Sequence, residues 1–453
     1  MQKPIFVFFA ISQNRTRCVI KLNKILISYC LRRQKNFAGQ FQESLSTLSD
    51  LNFADLSVSS VHNYHKLLEL NFLGQLLGLP TLHSITTELG LSNALQTSKR
   101  KIDKSLTMSG IAKLYTCLFQ KELERFFLSQ IQKDSSIWSK TLVTAVLDDS
   151  VFRQWLNANI EAGSAYGKFF SGQYHTAVYG YDVLLMGFSI AGVFYPFSFE
   201  FIRKDDHKKS QKRAKVAQKL LKKWQQWQGE LKAKGIILPK IQLSVDNGFN
   251  DMALADAAQK ANLNFISVPK KSHKIIYKNK EISLKNLIEK EFLEEEKQHI
   301  EVQKDLPDAE KTAFQKRLRV SYKAKNREIT LLLFRLNASN KVSAIYSLDK
   351  NIFTKTLRRH WFQRTYIEQF FKLLKHTLKI QEARTKGEEG FHNKIYQFMF
   401  VALQCQKLIK YLRKTCQEFK QKGLKSLQRA LVRDRDILEL LQSKATKKYH
   451  RTM

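Results

Sequence analysis

The spacing of apolar residues changes near residue 136. Before it, apolar positions recur every three to four residues, which predicts amphipathic helices in Val61–Leu79 and Met108–Ile131. After it, short continuous apolar runs predict buried strands, notably Thr141–Ser150 and Ile241–Phe249. A basic amphipathic helix, Lys208–Gly235, lies between these strands. This alternation predicts an α/β fold, with a mixed sheet flanked by helices.

The same pattern divides the chain into five predicted segments. Residues 1–135 form a helical N-terminal region, residues 136–270 begin the α/β core, and residues 341–405 complete it. We interpret residues 271–340 as a β-containing insertion, because a highly charged stretch and strand-like runs interrupt the alternation there. Residues 406–453 are basic and helical in pattern.

Within the N-terminal region, Thr81–Lys104 has the pattern of a helix-turn-helix. One helix ends at Gly90, and the second ends in Lys99, Arg100 and Lys101. These cations could contact DNA phosphates from a recognition helix. A helical hairpin that only packs on other helices has the same pattern, so both interpretations stay open.

The charge balance is strongly basic and indicates a polyanionic partner. The 453 residues include 77 Lys and Arg against 40 Asp and Glu, which gives a net charge of +37 and a pI near 9.9. Such self-repulsion opposes compaction, and binding to nucleic acid would relieve it. A generic basic protein, such as one bound to ribosomes, also fits this composition.

Several other classes of protein are disfavoured. Five cysteines without a Cys-x-x-Cys pair fit a reducing compartment and no structural zinc. Neither a glycine-rich phosphate loop nor a His-Glu-x-x-His pattern occurs. The apolar run Pro4–Ile11 has no clear signal-cleavage site, and no run of about 18 apolar residues predicts a membrane span.

Two of the predicted strands end in acids. Asp148, with Asp149 beside it, ends the first strand, and Asp246 ends the second. Open α/β sheets bind ligands at the carboxyl ends of their strands. A carboxylate beside a buried strand is costly unless it is paired, solvated or bound to a cation. A single acid at such a position is more often a loop residue than a ligand. The prediction of a ligand-binding site therefore requires several acids to lie close together.

A third acid lies on the predicted helix Trp361–Lys375. At about 100° per residue, Trp361, Arg364, Glu368 and Lys375 share an arc of roughly 60°. Other positions of this segment fall on the same cationic side (Lys372, Lys379) or on a predicted core side (Phe362, Tyr366, Phe370, Leu373, Leu374). Glu368 could form a surface ion pair with a cation one turn away, or it could complete an Asp/Asp/Glu set for Mg²⁺ or Mn²⁺.

This set of residues resembles DDE transposases of bacterial insertion sequences. The similarity is to the branch with a Tyr-x2-Arg-x3-Glu-x6-Lys signature around its catalytic Glu, and it covers roughly residues 138–410. This chain has Trp361-x2-Arg364-x3-Glu368-x6-Lys375, so three of the four positions match and Trp361 replaces the Tyr.

The contexts of the two aspartates resemble the same family. Residues 148–150 read Asp-Asp-Ser where the family has Asp-x-Thr, which makes Asp148 the better candidate of the pair. Residues 246–249 read Asp-Asn-Gly-Phe, similar to the family's Asp-x-Gly-aromatic. The insertion between Asp246 and Glu368 is similar to the β-rich insertion of that family.

The resemblance implies a ribonuclease-H-like core and a cut-and-paste transposase. Such an enzyme hydrolyses DNA at transposon ends and joins the 3′-hydroxyls to target DNA by transesterification. Asp148, Asp246 and Glu368 would be the catalytic, metal-binding residues, with two Mg²⁺ ions per site or Mn²⁺ in their place. The expected DNA contacts are Trp361, Arg364, Lys372, Lys375 and Lys379 beside the site, and Lys99, Arg100 and Lys101 in the N-terminal region.

The resemblance also implies partners and a location. We expect a homodimer on paired terminal inverted repeats, target DNA as a further partner, no membrane, and a bacterial cytoplasmic protein associated with the nucleoid. Two alternatives remain open. One is a nuclease of the same fold that only cleaves. The other is a non-catalytic DNA-binding protein derived from a transposase.

Overall fold

The structure, a computed structural model, covers most of the predicted core. It describes residues 108–131, 142–154, 164–203, 210–304, 313–323, 327–335, 341–382, 387–415, 420–421, 423–426 and 428. The predicted helix-turn-helix, with Lys99, Arg100 and Lys101, lies outside these residues, as does most of the basic C-terminal segment.

The chain divides into two compact units. The sheet unit comprises Tyr115–Lys375 and Arg384–His392. The terminal unit comprises Met1–Leu114, His376–Ala383 and Asn393–Met453. The five segment boundaries given by the sequence pattern stay predictions.

The sheet unit contains one large mixed sheet, with eleven strands in the part of the chain that is described. The strands are β1 (Val143–Arg153), β2 (Tyr166–Ser171), β3 (Thr176–Ile190), β4 (Val193–Ile202), β5 (Ile241–Val245), β6 (Leu263–Ser267), β7 (Lys274–Tyr277), β8 (Lys280–Ser283), β9 (Gln315–Tyr322), β10 (Arg327–Arg335) and β11 (Val342–Ser347). Their order is β2-β3-β1-β5-β6-β11-β10-β9-β7-β8, and β4 also pairs with β3. β1, β5 and β6 are parallel, and the other pairings are antiparallel.

Helices cover both faces of this sheet. The described helices are α1 (Met108–Ile131), α2 (Ser210–Ala233), α3 (Met252–Lys260), α4 (Leu284–Leu287), α5 (Glu294–Val302), α6 (Thr354–Gln363), α7 (Thr365–Lys372) and α8 (Gly387–Thr415). Side chains alternate along β1. Ala145 and Leu147 share a core with Trp224 of α2, whereas Thr144 contacts His360 of α6. The predicted α/β fold, with a mixed sheet flanked by helices, is therefore confirmed.

The two central parallel strands are fully buried. Every residue of β5 and of β6 is buried, as expected for short parallel strands with both faces covered by helices. After β5, the side chain of Asp251 caps α3 by accepting hydrogen bonds from the N–H groups of Ala253 and Leu254. This cap fixes the direction of the chain as it leaves the strand end.

β1 is longer than its sequence pattern predicts. The expectation that this strand ends at Asp148 and Asp149 is wrong, because β1 continues to Arg153. The antiparallel ladder with β3 runs as far as Arg153 and Gly180, whereas the parallel ladder with β5 stops at Leu147 and Val245. The two acids therefore lie where β1 loses one of its two neighbouring strands.

The predicted insertion, residues 271–340, continues the sheet. β10 pairs with β11, β9 with β10, β7 with β9 and β8 with β7. Its charged helical stretch is anchored, because buried Glu296 accepts hydrogen bonds from Arg335 at 2.6 and 2.7 Å. Burial of this glutamate requires such a partner.

In the terminal unit, α8 presents a buried apolar face that includes Phe398, Met399, Leu403 and Leu412. Among the described residues of the chain, Cys117 and Cys405 are free thiols. No helix in the described ranges is long and apolar enough to cross a membrane.

Candidate active site

The register of β1 and β5 places two of the predicted acids side by side. Leu147 pairs with Val245 in the parallel ladder, and Asp148 and Asp246 are the next residues. By alternation along β1, Asp148 shares a face with Thr144, on which α6 packs. Both acids therefore lie at the end of the parallel ladder, on the side of the sheet that carries α6.

One guanidinium contacts all three predicted acids. Arg364 follows α6 and places Nη1 3.3 Å from Asp148 Oδ2 and 3.6 Å from Asp246 Oδ1. Its Nη2 lies 2.8 Å from Glu368 Oε1, one helical turn further along. Because the Arg364 side chain is only 17% exposed, water screens these interactions weakly. The structure thus brings Asp148, Asp246 and Glu368 together around a single cation.

Two side-chain contacts, one buried and one partly buried, fix the end of α6 just before Arg364. His360 Nδ1 lies 2.7 Å from Thr144 Oγ1 of β1. Ser189 Oγ of β3 donates a hydrogen bond of 2.7 Å to Gln363 Oε1. Burial lowers the pKa of His360 to about 4, so its imidazole is neutral at neutral pH. Both contacts lie within one turn of Arg364 and set its position over the strand ends.

Replacing Thr144 by valine is expected to destabilise the protein by about 1–3 kcal/mol, because buried His360 would lose its hydrogen-bond partner. Urea unfolding measures this change. The matched control is Thr365→Val, since the Thr365 hydroxyl bonds the Phe362 carbonyl at an exposed position and its loss should cost much less. Equal losses for the two variants would contradict the assigned role of the Thr144–His360 contact.

The environment of Asp148 disfavours its charged form. Burial raises the pKa of Asp148 to about 7, and the neighbouring Asp246 and Glu368 act in the same direction. Arg364 and the backbone N–H of Asp149, which donates to Asp148 Oδ1 at 3.0 Å, act against this rise. At neutral pH the carboxyl group therefore changes its protonation state readily.

Asp149 faces the opposite side of the sheet from Asp148. Its Oδ1 lies 2.5 Å from Nη2 of Arg213, near the start of α2. Burial and the neighbouring Asp182 raise the pKa of Asp149, and Arg213 opposes that rise. The sequence did not indicate Arg213, which is one of several cations on a basic helix, or Asp182, which lies in an apolar run that predicts only a strand. The geometry around Arg364 thus distinguishes Asp148 from Asp149.

Lys375 points to a different part of β1 from Arg364. Its Nζ donates to Ser150 Oγ at 2.7 Å and lies 5.0 Å from the centre of the Phe152 ring. Burial lowers the pKa of Lys375 to about 8, while Asp182 and Asp149 act to raise it. Lys375 thus contacts β1 at Ser150, two residues after Asp148.

The structure also describes the other two cations that were expected beside the site. Lys372, at the end of α7, is exposed. Lys379 belongs to the terminal unit, where its Nζ pairs with Glu382 at 3.2 Å. Their predicted role in binding DNA stays a prediction.

A cavity of about 610 Å³ opens beside Arg364 and Glu368. Trp361 lines it, with the Arg364 guanidinium 5.0 Å from the centre of the indole ring. The other lining residues include three exposed lysines, Lys270, Lys271 and Lys341. The cavity therefore combines an aromatic surface with several cations, and Glu368 is the one of the three acids that lines it.

The predicted core side of this helical segment is only partly correct. Phe370 and Leu374 are buried, but Phe362 is exposed and packs beside Phe334 and Arg358. Ile367 and Phe371 are the buried residues that the pattern did not predict. The helical rise is not uniform, because i to i+3 hydrogen bonds flank Arg364 and a π-helical turn follows at Leu373–Thr377. Both features rotate side chains away from the ideal 100° spacing.

The three carboxylates have the donor chemistry of a magnesium site. Carboxylate oxygens are the ligands that Mg²⁺ prefers, and here three of them already surround one positive charge. In this structure the three carboxylates are arranged around the guanidinium of Arg364. In the described residues, no group of three or more His, Cys, Asp or Glu side chains is arranged so that it could hold a metal ion.

Comparisons with known proteins identify no family for this chain. A scan against protein-family models finds no match, and a search of curated proteins finds none either. Among solved structures, the chain resembles a piggyBac transposase in a synaptic complex with hairpin DNA, with a TM-score of 0.32 and 13% sequence identity. The match covers 68% of this chain and 53% of that one, so the chain spans about half the length of that transposase. This distant similarity does not assign a family.

Proposed function

We propose that the protein is a DDE transposase that cleaves DNA at transposon ends and joins the freed 3′-hydroxyls to target DNA. The observation that supports this most directly is the meeting of Asp148, Asp246 and Glu368 at one guanidinium. Asp148 lies on β1, Asp246 directly follows β5 and Glu368 lies on α7, three elements that are far apart in sequence. Placing buried and half-buried acids close together costs free energy. Such a cluster is expected at a site that binds cations and phosphates.

The proposal includes a ribonuclease-H-like core. It is supported by the connected antiparallel strands β1, β3 and β4, followed by β5 and β6, which run parallel to β1. The first two acids come directly after the last paired residues of the β1–β5 ladder. A crevice at the carboxyl ends of such strands is where α/β sheets bind their ligands.

Asp148, Asp246 and Glu368 would hold two Mg²⁺ ions, or Mn²⁺ in their place. When bound, these ions would activate a water or a 3′-hydroxyl as the nucleophile and stabilise the leaving oxygen. Arg364 would then exchange its contacts with the acids for contacts with phosphate oxygens of the cleaved strand, for which a planar guanidinium is well suited. Lys375, with its amino group on Ser150, would hold a phosphate beyond the cleaved bond.

The cavity beside Arg364 would receive the distorted DNA end. Trp361 offers an aromatic surface on which a base can stack, and stacking of this kind contributes about 1–3 kcal/mol per base. Lys270, Lys271 and Lys341 at its walls would contact phosphates. A homodimer that pairs two ends is part of the proposal.

Replacing Asp246 by alanine tests the enzyme against a protein that only binds DNA. We expect Mg²⁺-dependent cleavage to fall by about 10³-fold, more than the 10–100-fold typical of residues behind a metal ligand, while DNA affinity persists. Gel assays on DNA carrying the terminal repeats measure both. Asp256→Ala is the matched control, since Asp256 pairs with Arg327 away from the acids. Cleavage that survives Asp246→Ala would rule out the triad.

A joining assay separates a transposase from a nuclease of the same fold. The protein is given pre-cut ends with free 3′-hydroxyls and a target plasmid. We expect joined products that depend on Mg²⁺ or Mn²⁺. Cleavage of uncut ends without any joining would support the nuclease instead. Short inverted repeats flanking the gene, bracketed by a small direct duplication, would identify the DNA ends to use.

A further inference from the structure

Arg213 contacts residues that follow each of the two aspartates, Asp148 and Asp246, just past the end of the β1–β5 ladder. Its Nη2 lies 2.5 Å from Asp149 Oδ1, directly after Asp148 on β1. Its guanidinium carbon lies 4.9 Å from the centre of the Phe249 ring, in the turn that follows Asp246. A Cβ atom placed on Gly248 would be 3.6 Å from Nη1 of Arg213, so this glycine lies directly against the guanidinium.

One further hydrogen bond connects each of the contacted residues, Asp149 and Phe249, to an aspartate of the candidate site. On the β1 side, the backbone N–H of Asp149 donates to Asp148 Oδ1 at 3.0 Å. On the β5 side, the backbone N–H of Phe249 donates to the carbonyl of Asp246 at 3.0 Å and closes the turn, while the Phe249 ring is buried. Arg213 therefore holds the residues that orient both aspartates.

Simple neutralisation of Asp149 does not account for this arrangement. A lysine ammonium would also neutralise that carboxylate, but it is a compact point charge without the extended planar group that lets an arginine contact two partners at once. Arg213 contacts both Asp149 and Phe249, and it does so at the point where the β1–β5 ladder has just ended. There, no hydrogen bond between these two strands fixes their separation beyond Leu147 and Val245.

We propose that Arg213 is a positioning residue that sets the separation of Asp148 and Asp246 from the opposite side of the sheet. The inference rests on the proposed metal-dependent function, and it concerns geometry that exists whether or not a metal binds. Because it acts through Asp149 and Phe249, Arg213 needs no contact with DNA or ions. Side chains that support metal ligands in this way typically change metal affinity by about 10–100-fold.

The first experiment measures Mn²⁺ binding by calorimetry in full-length Arg213→Met, Arg213→Lys and Phe249→Leu. We expect affinity to fall about 10–100-fold in Arg213→Met, and Arg213→Lys to recover only part of that loss, because one ammonium group cannot keep the contacts with both Asp149 and Phe249. Phe249→Leu keeps an apolar side chain and should weaken binding by about tenfold, the lower end of the range for supporting residues. Arg327→Met is the matched control, since Arg327 pairs with Asp256 elsewhere.

The second experiment measures hydrogen exchange without metal, in peptides covering residues 145–153 and 245–251. We expect both peptides to exchange faster in Arg213→Met than in the wild type or in Arg327→Met. Unchanged exchange in both would overturn the positioning role. Faster exchange in Arg213→Met, together with a wild type that binds no Mn²⁺, would uphold positioning and overturn the proposed function. If Arg213→Met fails to fold, Arg213→Lys and Phe249→Leu decide the same question.

Discussion

Replacing Asp148 by asparagine should abolish metal-dependent cleavage and, at the same time, make the metal-free protein more stable at pH 8. Burial raises the pKa of Asp148 from 3.8 to about 7. At pH 8 Asp148 is therefore ionised in both the folded and the unfolded states, but its ionisation costs more free energy in the folded state. A difference of about three pKa units corresponds to about 4 kcal/mol. This cost already includes the attraction to Arg364. Asparagine removes the charge but leaves a partly buried polar group, so we expect a smaller net gain of about 1–2 kcal/mol.

The gain from Asp148→Asn should depend on pH in a defined direction. Below about pH 4 the carboxyl is neutral in the folded and the unfolded states, so it costs nothing. Between pH 4 and pH 7 the folded protein binds more protons than the unfolded chain, and the stability of the wild type relative to the variant falls as pH rises. Urea unfolding at pH 4.5, 6 and 8 measures this trend. Asp246→Asn serves as the control, because Asp246 is half-exposed and should gain much less.

Binding of Mn²⁺ should weaken sharply below pH 7. A carboxylate must lose its proton to bind a cation, so protons and Mn²⁺ compete for Asp148. With a pKa of about 7, affinity should fall up to about tenfold for each pH unit below that value and level off above it. Calorimetry from pH 5.5 to pH 8.5 measures the profile.

Two variants sharpen this test. Asp148→Asn should bind Mn²⁺ weakly, with little change across that pH range. Arg364→Gln should move the midpoint above pH 7, because Arg364 lowers the pKa of Asp148. A wild-type affinity that stays constant from pH 5.5 to pH 8.5 would contradict the involvement of Asp148.

The parts of the site that follow from local periodicity could be predicted from the sequence. Apolar runs predicted β1 and β5, and two parallel strands with acids after their last paired residues bring those acids together. Helical spacing placed Arg364 and Glu368 on one face, where they lie. Composition added a polyanionic partner, which stays a prediction. These inferences need only the geometry of one element or of one strand pair.

The remaining features depend on contacts between distant elements. Arg213 is one of several cations on a basic helix, and nothing in the spacing of α2 indicates that it reaches the ends of β1 and β5. Lys375 was expected beside Glu368, seven residues earlier, but the π-helical turn at Leu373–Thr377 changes the rotation per residue. β1 continues past Asp149 because it pairs with β3 there. The residues around the two acids do not indicate this pairing.

The three contacts of Arg364 have a consequence for how the protein matures. In many small metalloproteins the ligands repel one another until the ion arrives, so the chain folds only with its metal. Here Arg364 is a counter-ion that the chain itself supplies, and it offsets part of the repulsion among the three acids. The protein should therefore fold and be stored in the presence of chelators, and under the proposed function only cleavage and joining of DNA would require a divalent ion.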